Sequence, residues 1–168
     1  MNSLYTFCSL GNCADGTNPE AALLDLDATG TIYGTTLNGG SGANGVVYKV
    51  EKQGKGASLT VLHSFCQQQN CTDGAGPRAG VVTTPSGALF GTTDYGGTGG
   101  QFDGTVFEIG ESFSVVHSFC SEQNCIDGDN PLAGLILDQN GNLFGTTSSG
   151  GKTGTNGFGN GTIYEVVP

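Results

Sequence analysis

One stretch of sequence occurs three times along the chain and constrains the fold more than any other feature. It reads FCSLGNCADGTNP from Phe7, FCQQQNCTDGAGP from Phe65 and FCSEQNCIDGDNP from Phe119. The first copy precedes the second by 58 residues, and the second precedes the third by 54. A period of this length is typical of propellers and solenoids, in which each repeat is one supersecondary unit. We therefore expect a single repeat domain over residues 1–168.

Each unit contains four short runs that are rich in β-branched and aromatic residues. Gly, Asn, Asp or Pro separates the runs, and glycine makes up 31 of the 168 residues. This pattern predicts four strands per unit, joined by tight turns, and no helix. Serially repeated antiparallel strands describe a blade of a β-propeller better than a sandwich. The expected fold class is all-β, a β-propeller built from four-stranded antiparallel blades.

The repeat is out of phase with the chain, which begins inside a unit. Residues 1–18 supply a closing strand, LYTFC, and a corner. Residues 19–76 form blade 1, residues 77–130 form blade 2, and residues 131–168 form an incomplete blade 3 that lacks its fourth strand. This phase lets the N-terminal strand complete the blade of the C-terminal strands and cover an edge that would otherwise invite aggregation.

Three blades are fewer than the roughly four to eight that propellers contain. We therefore expect the N-terminal strand to complete blade 3 of a neighbouring chain, in a homo-oligomer formed by strand exchange. Two chains can close into one ring, whereas a head-to-tail contact whose rotation does not close propagates into a filament. A longer native chain with more units is a third possibility.

The chain is strongly acidic, with a formal net charge of −10 and only five Lys and Arg residues. Nucleic acids and anionic membranes attract clustered cations, so neither is an expected partner. No run approaches the roughly 18 apolar residues that predict a transmembrane helix. The N-terminal sequence MNSLYTF also lacks the features of a signal peptide. No membrane insertion is expected.

All six cysteines fall in three copies of C-x4-C, one in each copy of the repeated stretch. The repeat favours local disulfides over the other pairings: Cys8 with Cys13, Cys66 with Cys71, and Cys120 with Cys125. Zinc binding by the cysteines is the alternative to disulfides, but a C-x4-C motif without further metal ligands in each unit does not favour it. Disulfides indicate an oxidising compartment. We therefore expect an extracellular or cell-surface protein whose leader is not part of this sequence.

An aspartate followed by glycine comes directly after each cysteine pair: Asp15, Asp73 and Asp127. In the favoured interpretation, the carboxylate accepts hydrogen bonds from nearby backbone amides and braces a corner before the proline. The alternative is a calcium site built from this carboxylate and loop carbonyls. No cofactor is required by the sequence, and Ca²⁺ is the one that it allows.

The sequence predicts no catalytic residues. His63 and His117 stand at equivalent positions, where the first copy has Thr6. Strand alternation places each histidine on the same face as the phenylalanine two residues later, which indicates a packing role. The carboxylates recur with the repeat and do not converge on one place. We expect no enzymatic activity, with a secreted hydrolase or lyase as the least favoured alternative.

Three aromatic residues lie in the Gly-rich loops between the second and third strands: Tyr95, Phe102 and Phe158. Aromatic side chains among glycines can dock onto a neighbouring subunit or stack on a sugar ring. The favoured function is a non-enzymatic structural protein that assembles into a closed oligomer or a filament. The alternative is a multivalent, lectin-like propeller that binds glycans, with or without calcium.

Several motifs together resemble a known family. They are LFGTT followed by a Gly-rich loop, GTVFEI, VVHSFC, NCxDGxxP and AGLI. This set resembles the GloVer-type repeat of choice-of-anchor surface proteins, and the resemblance covers essentially the whole chain. It implies a secreted or cell-surface tandem-repeat protein with a propeller-like fold, and it supplies no enzymatic activity.

Overall fold

The computed structural model describes residues 2–25, 30–100, 102–152 and 159–168. The strands form three antiparallel sheets, so the chain is all-β as the sequence predicts. Short 3-10 turns are the only helical elements of the described ranges: Gly11–Cys13, Gln69–Cys71 and Gln123–Cys125. No helix in this part of the chain has the length and hydropathy needed to cross a bilayer.

Each sheet draws its strands from one unit and keeps them in chain order. The first sheet contains β1 (Leu24–Asp25), β2 (Ile32–Thr36), β3 (Val46–Gln53) and β4 (Gly56–Ser64). The second sheet contains β5 (Val82–Thr83), β6 (Leu89–Thr93), β7 (Thr105–Ile109) and β8 (Phe113–Ser118). The third sheet contains β9 (Ile136–Leu137), β10 (Leu143–Thr146) and β11 (Ile163–Val166), with β10 in the middle.

Residues 2–7 form no strand in the structure, although the sequence predicts one over LYTFC. A segment becomes a strand only where a neighbour supplies its hydrogen bonds, and no strand among the described residues pairs with residues 2–7. Within the described residues, β11 also has a strand partner on one side only, which is β10. None of the three sheets is closed, and completion of the third sheet by a neighbouring chain stays a prediction.

A glycine in the second strand of each sheet lies opposite an aromatic residue of the third strand. The pairs are Gly34 with Tyr48, Gly91 with Phe107, and Gly145 with Tyr164. A Cβ atom on Gly91 would lie 2.5 Å from Cζ of Phe107, which is closer than packed atoms approach. The aromatic ring can therefore lie over the second strand only because that position is glycine.

The apolar core lies between successive sheets. Between the first and second sheets, the fully buried Phe65 packs with Val47 of β3 and Phe107 of β7. Between the second and third sheets, Phe119 takes the same place and packs with Leu143 of β10. The phenylalanine that follows the fourth strand of one sheet therefore belongs to the core that this sheet shares with the next.

Each sheet thus has a front face, directed toward the next sheet along the chain, and a rear face, directed toward the previous sheet. Phe7 packs on the rear face of the first sheet, where its ring centroid lies 5.0 Å from that of Tyr48. Phe65 makes the equivalent contact with Phe107 at 5.1 Å. The N-terminal segment therefore covers the first sheet in the way that the end of a preceding sheet does.

Candidate functional site

Each copy of the repeated stretch folds into a corner that a disulfide closes. The structure pairs the cysteines locally: Cys8 with Cys13, Cys66 with Cys71, and Cys120 with Cys125. Between the paired cysteines, an asparagine adopts a positive φ angle in each corner: Asn12, Asn70 and Asn124. Asparagine tolerates this left-handed conformation better than most residues, so the tight turn has a sequence cause.

The aspartate of each corner accepts hydrogen bonds from its own loop. Oδ2 of the fully buried Asp15 accepts one from the backbone N–H of Ser9 at 3.0 Å, and Oδ1 accepts one from that of Leu10 at 3.2 Å. Asp73 and Asp127 accept the two equivalent bonds. This geometry supports the bracing role. Calcium binding at these corners stays the untested alternative, and no metal-binding group of three or more His, Cys, Asp or Glu side chains occurs among the described residues.

A histidine lies over the aspartate in two of the corners. His63 Nε2 is 3.4 Å from Asp73 Oδ2, and His117 Nε2 is 3.4 Å from Asp127 Oδ2. His63 also packs edge-on against Phe65 at 4.8 Å, as expected for residues on one face of a strand. Burial lowers the pKa of His63, and the charge of Asp73 offsets this only in part. The neutral imidazole is therefore the stable form at pH 7.

Tyr5 takes the place of the histidine in the first corner. Its hydroxyl donates to Asp15 Oδ2 at 2.8 Å. The expectation that Thr6 is the equivalent residue is wrong, because only a residue two positions before Phe7 shares the face of that ring. Burial alone would raise the pKa of Asp15, but hydrogen bonds from Tyr5 and from the Ser9 loop outweigh burial and lower the pKa to about 2.

The front face of the third sheet exposes apolar side chains that the other two sheets bury. Ile163 of β11 is 83% exposed, and Ile136 of β9 is 68% exposed. The residues equivalent to Ile163 are Val47 in the first sheet and Val106 in the second, and both are fully buried. The same face is thus a core surface in two units and a solvent-exposed surface in the third.

A threonine of the second strand joins the front faces of the first and second sheets to the following unit by a hydrogen bond. Thr35 Oγ1 donates to the backbone carbonyl of Ala79 at 2.9 Å, and Thr92 Oγ1 donates to that of Ala133 at 3.1 Å. Both threonines are almost fully buried. Thr146 is the third copy of this residue, and it is exposed on the front face of the third sheet.

The rear face of the first sheet is only partly covered by the N-terminal segment. Leu4 and Phe7 line an apolar cavity of about 250 Å³ with Tyr48 and Val50. Leu23, on the same face, is 59% exposed, whereas its counterparts in the other units are 5% and 4% exposed: Val81 and Leu135. This face therefore also presents apolar surface that the other units bury.

A cavity lies beside β11, on the side where the first two sheets have their fourth strand. In the second sheet, Phe113 of β8 stacks on the ring of His63 and covers it. No strand follows β11 within the described residues, and the His117 side chain is about twice as exposed as that of His63, at 34% against 16%. A cavity of about 300 Å³ lies there, lined in part by Phe119 and Tyr164.

Two of the three loop aromatics meet beside an ion pair. The ring centroids of Tyr95 and Phe102 are 6.2 Å apart, and the rings are perpendicular. Arg78 Nε lies 2.6 Å from Oδ2 of the buried Asp94 in the same region. Phe158, the third aromatic of this set, lies outside the described residues.

The three sheets, their corners and their shared motifs all repeat along the chain. The sequence matches the Gloeobacter/Verrucomicrobia repeat over residues 1–168. The chain belongs to this repeat family. The match confirms the resemblance to the GloVer-type repeat, and no curated protein matches the chain.

Two residues of this Gloeobacter/Verrucomicrobia repeat protein were not predicted from the sequence, in which the charged candidates were the aspartates that recur in every unit. Arg78 and Asp94 do not recur, since the first unit has Glu20 and Leu37 at their positions. The signal that could have found them is this departure from the repeat. A buried Asp94 paired with the one basic residue of its unit is chemistry that the shared fold does not require.

Proposed function

We propose that this chain is a non-enzymatic, extracellular structural protein that assembles with copies of itself. The front face of the third sheet of one copy packs on the rear face of the first sheet of the next. The observation that carries the proposal is the exposure of Ile163 on a face whose counterparts are core. Exposed apolar surface of this kind is typical of interaction sites.

The two faces suit each other because each is a copy of a face that already packs inside the chain. Val47 of the first sheet packs in one core with Phe107 of the second, and Ile163 would meet Tyr48 of the next copy in the same way. Thr146 would donate to the carbonyl of Ala21, which is the counterpart of Ala79 and Ala133 in sequence. The contact is heterologous, so it either closes into a ring or extends as a filament.

The N-terminal segment of the second copy would then lie beside β11 as its fourth strand. The pairing of the other units supplies the register: Val46 is opposite Ser64 and Thr105 is opposite Ser118. By the same register, Thr162 would lie opposite Thr6 of the next copy. This pairing would satisfy the backbone groups on the open side of β11.

Two observations support the extracellular, non-enzymatic part of the proposal. The three disulfides, with no free cysteine among the described residues, suit an oxidising compartment. The carboxylates of the corners accept hydrogen bonds from backbone amides, and the histidines pack against aromatic rings. The three carboxylates and both histidines thus have structural roles that recur with the repeat, which fits a scaffold.

The mass of the chain in solution tests the assembly. We expect oligomers or filaments in sedimentation velocity and electron microscopy at micromolar concentration. Ile163→Lys should return the protein to a folded monomer, because it places a charge in the interface. Leu10→Gln is the matched control: it removes an exposed apolar side chain at a corner, where the other units have Gln68 and Glu122. A folded monomeric parent protein would overturn the proposal.

A cysteine pair tests the strand exchange and its register. Thr6→Cys with Thr162→Cys should form an intermolecular disulfide, because residues opposite each other in an antiparallel pair have their Cα atoms about 4.5–5.5 Å apart. Thr6→Cys with Glu165→Cys is the control, since the register places Glu165 away from Thr6. A bond between positions 6 and 162 within one chain would refute the exchange.

A further inference from the structure

One cavity of the molecule is lined by residues that do not recur in the other units. It lies between the second and third sheets and has a volume of about 500 Å³. Its main lining residues are Arg78, Asp94, Tyr95, Phe102, Asn130 and Ser148. At the positions of the first three, the first unit has Glu20, Leu37 and Asn38, and the third unit has Leu132, Ser148 and Ser149. The fold common to all units therefore does not explain this cavity.

We infer that the cavity binds a neutral pyranose, with the sugar ring stacked on Phe102 and vicinal hydroxyl groups hydrogen-bonded to Arg78 and Asp94. The inference goes beyond the structural role and does not depend on self-assembly. It also differs from the multivalent lectin predicted from the sequence, because it places one site in each chain.

The polar wall of the cavity is a fixed ion pair. Asp94 is almost fully buried, and the Arg78 side chain is 37% exposed, with Nε 2.6 Å from Asp94 Oδ2. A guanidinium group has five N–H donors, and this contact uses one of them. Arg78 has a second side-chain partner in Tyr95, and Asp94 Oδ1 accepts a hydrogen bond from Asn130 Nδ2 at 3.4 Å, so the remaining donors of Arg78 and the remaining acceptor sites of Asp94 lie side by side. A pair of adjacent hydroxyl groups, each both donor and acceptor, matches this arrangement.

The apolar wall is the ring of Phe102, which is 69% exposed. Asn130 Nδ2 donates to the backbone carbonyl of Phe102 at 2.6 Å and to that of Asp94 at 3.2 Å. One amide thus holds the aromatic residue and the ion pair at a fixed spacing, which lowers the entropy that a ligand loses on binding. The C–H face of a pyranose would cover an aromatic surface that otherwise contacts water.

The net negative charge around the cavity should disfavour the binding of acidic sugars. Asp94 neutralises Arg78, and Asp103 and Asp129 flank Phe102 and Asn130 in sequence. Burial raises the pKa of Asp103, and the charges of Asp129 and Asp127 raise it further, which shows that the local field is negative. A uronate or sialic acid would enter this field as an anion and be repelled.

Saturation-transfer NMR and calorimetry with methyl glycosides of glucose, galactose and mannose test the inference. We expect binding of at least one of them at millimolar concentration, with glucuronate and N-acetylneuraminate not bound. Phe102→Ala should weaken binding at least tenfold, and Phe102→Tyr should keep it because the ring remains. Arg78→Lys should also weaken it, because an ammonium retains the charge without the planar donors. Leu10→Gln, which lies outside the cavity, should have no effect.

Three results would overturn the inference. One is the absence of binding by the parent protein to any of the three neutral glycosides. Another is equal affinity in the parent protein and Phe102→Ala, or tighter binding of the acidic sugars. The last is a loss of self-association in Phe102→Ala without any sugar binding by the parent protein, which would make Phe102 an assembly contact instead.

Discussion

The imidazole ring of His63 lies flat against the phenyl ring of Phe113, with ring centroids 3.6 Å apart and 4° between the ring planes. His63 belongs to the first sheet and Phe113 to the second, so this stack crosses the junction between two units. The same imidazole places Nε2 at 3.4 Å from Asp73 Oδ2. Protonation of His63 would therefore put a charge into an aromatic junction, with Asp73 as the nearest anion.

The stability of this junction should depend on pH. Because burial lowers the pKa of His63 below 6.5, the folded state binds fewer protons than the unfolded state just below pH 6.5. The free energy of unfolding should be constant above pH 6.5 and decrease as the pH falls below it. His63→Tyr, which copies Tyr5, should abolish the decrease. Urea unfolding of both proteins at about pH 7.5 and about pH 5.5 measures this decrease. An equal decrease in His63→Tyr would show that His63 is not its cause.

Asp15 should stabilise the N-terminal corner down to acidic pH. Its folded pKa of about 2 is below the ordinary 3.8, so its contribution is complete above about pH 4 and is lost as the pH falls toward 2. Asp15→Ala should lower the free energy of unfolding by about 1–2 kcal/mol at pH 7, because the N–H groups of Ser9 and Leu10 lose the buried carboxylate that accepts their hydrogen bonds. Tyr5→Phe should lower the free energy of unfolding by less, because Asp15 still accepts the hydrogen bonds from the backbone N–H groups of Ser9 and Leu10. Equal stability of Asp15→Ala and the parent protein would disprove the bracing role.

Calcium should not stabilise the corners. The oxygens of Asp73 face the backbone N–H groups of Gln67 and Gln68, and these donors present positive charge where a cation would bind. We expect equal thermal midpoints in EDTA and in millimolar Ca²⁺. A rise in the midpoint with Ca²⁺ that Asp73→Asn abolishes would show instead that the corner is the calcium site that the sequence allows.

The strands and their order could be predicted from the sequence, because each run carries its own β-branched residues and turn signals. The cysteine pairing followed from the repeat. The N-terminal strand could not be settled in the same way, since residues 2–7 need a partner to become a strand and the sequence does not say where that partner lies. The ion pair of Arg78 and Asp94 was missed because the two residues are far apart in sequence and break the repeat.

The residue equivalent to the histidines in the first corner was assigned incorrectly from the sequence. We assigned Thr6 as the counterpart of the histidines, but this assignment was one residue out of register. Tyr5 is the residue two positions before the shared phenylalanine, as His63 and His117 are. The structure shows that the position is defined by a ring whose polar atom reaches Asp15, a condition that tyrosine meets through its hydroxyl. Tyr5, His63 and His117 therefore share one property: a polar atom of the side chain lies within 3.4 Å of the aspartate of its corner. The residue types alone do not reveal this property.

The disulfides should contribute equally to stability. Each bridges cysteines five positions apart, so the loop entropy removed from the unfolded chain is the same. Replacing Cys66 and Cys71 together by Ala should lower the free energy of unfolding by about 2 kcal/mol, and so should the same change at Cys8 and Cys13. Urea unfolding checks both variants. No change in either would show that closure of these short loops is not stabilising.

Substitutions of the second-strand threonine should distinguish the stability of the single chain from the strength of self-association. Thr35→Val should lower the free energy of unfolding of the single chain by about 1–2 kcal/mol, because the carbonyl of Ala79 loses the hydrogen bond from the buried Thr35 hydroxyl. Thr146→Val should leave that free energy unchanged, because this side chain is exposed, but should weaken self-association by about tenfold, which corresponds to roughly 1.4 kcal/mol. Chemical unfolding and sedimentation at several protein concentrations measure the two effects. If Thr146→Val associated as strongly as the parent protein, the front face of the third sheet would not pack as its two counterparts do.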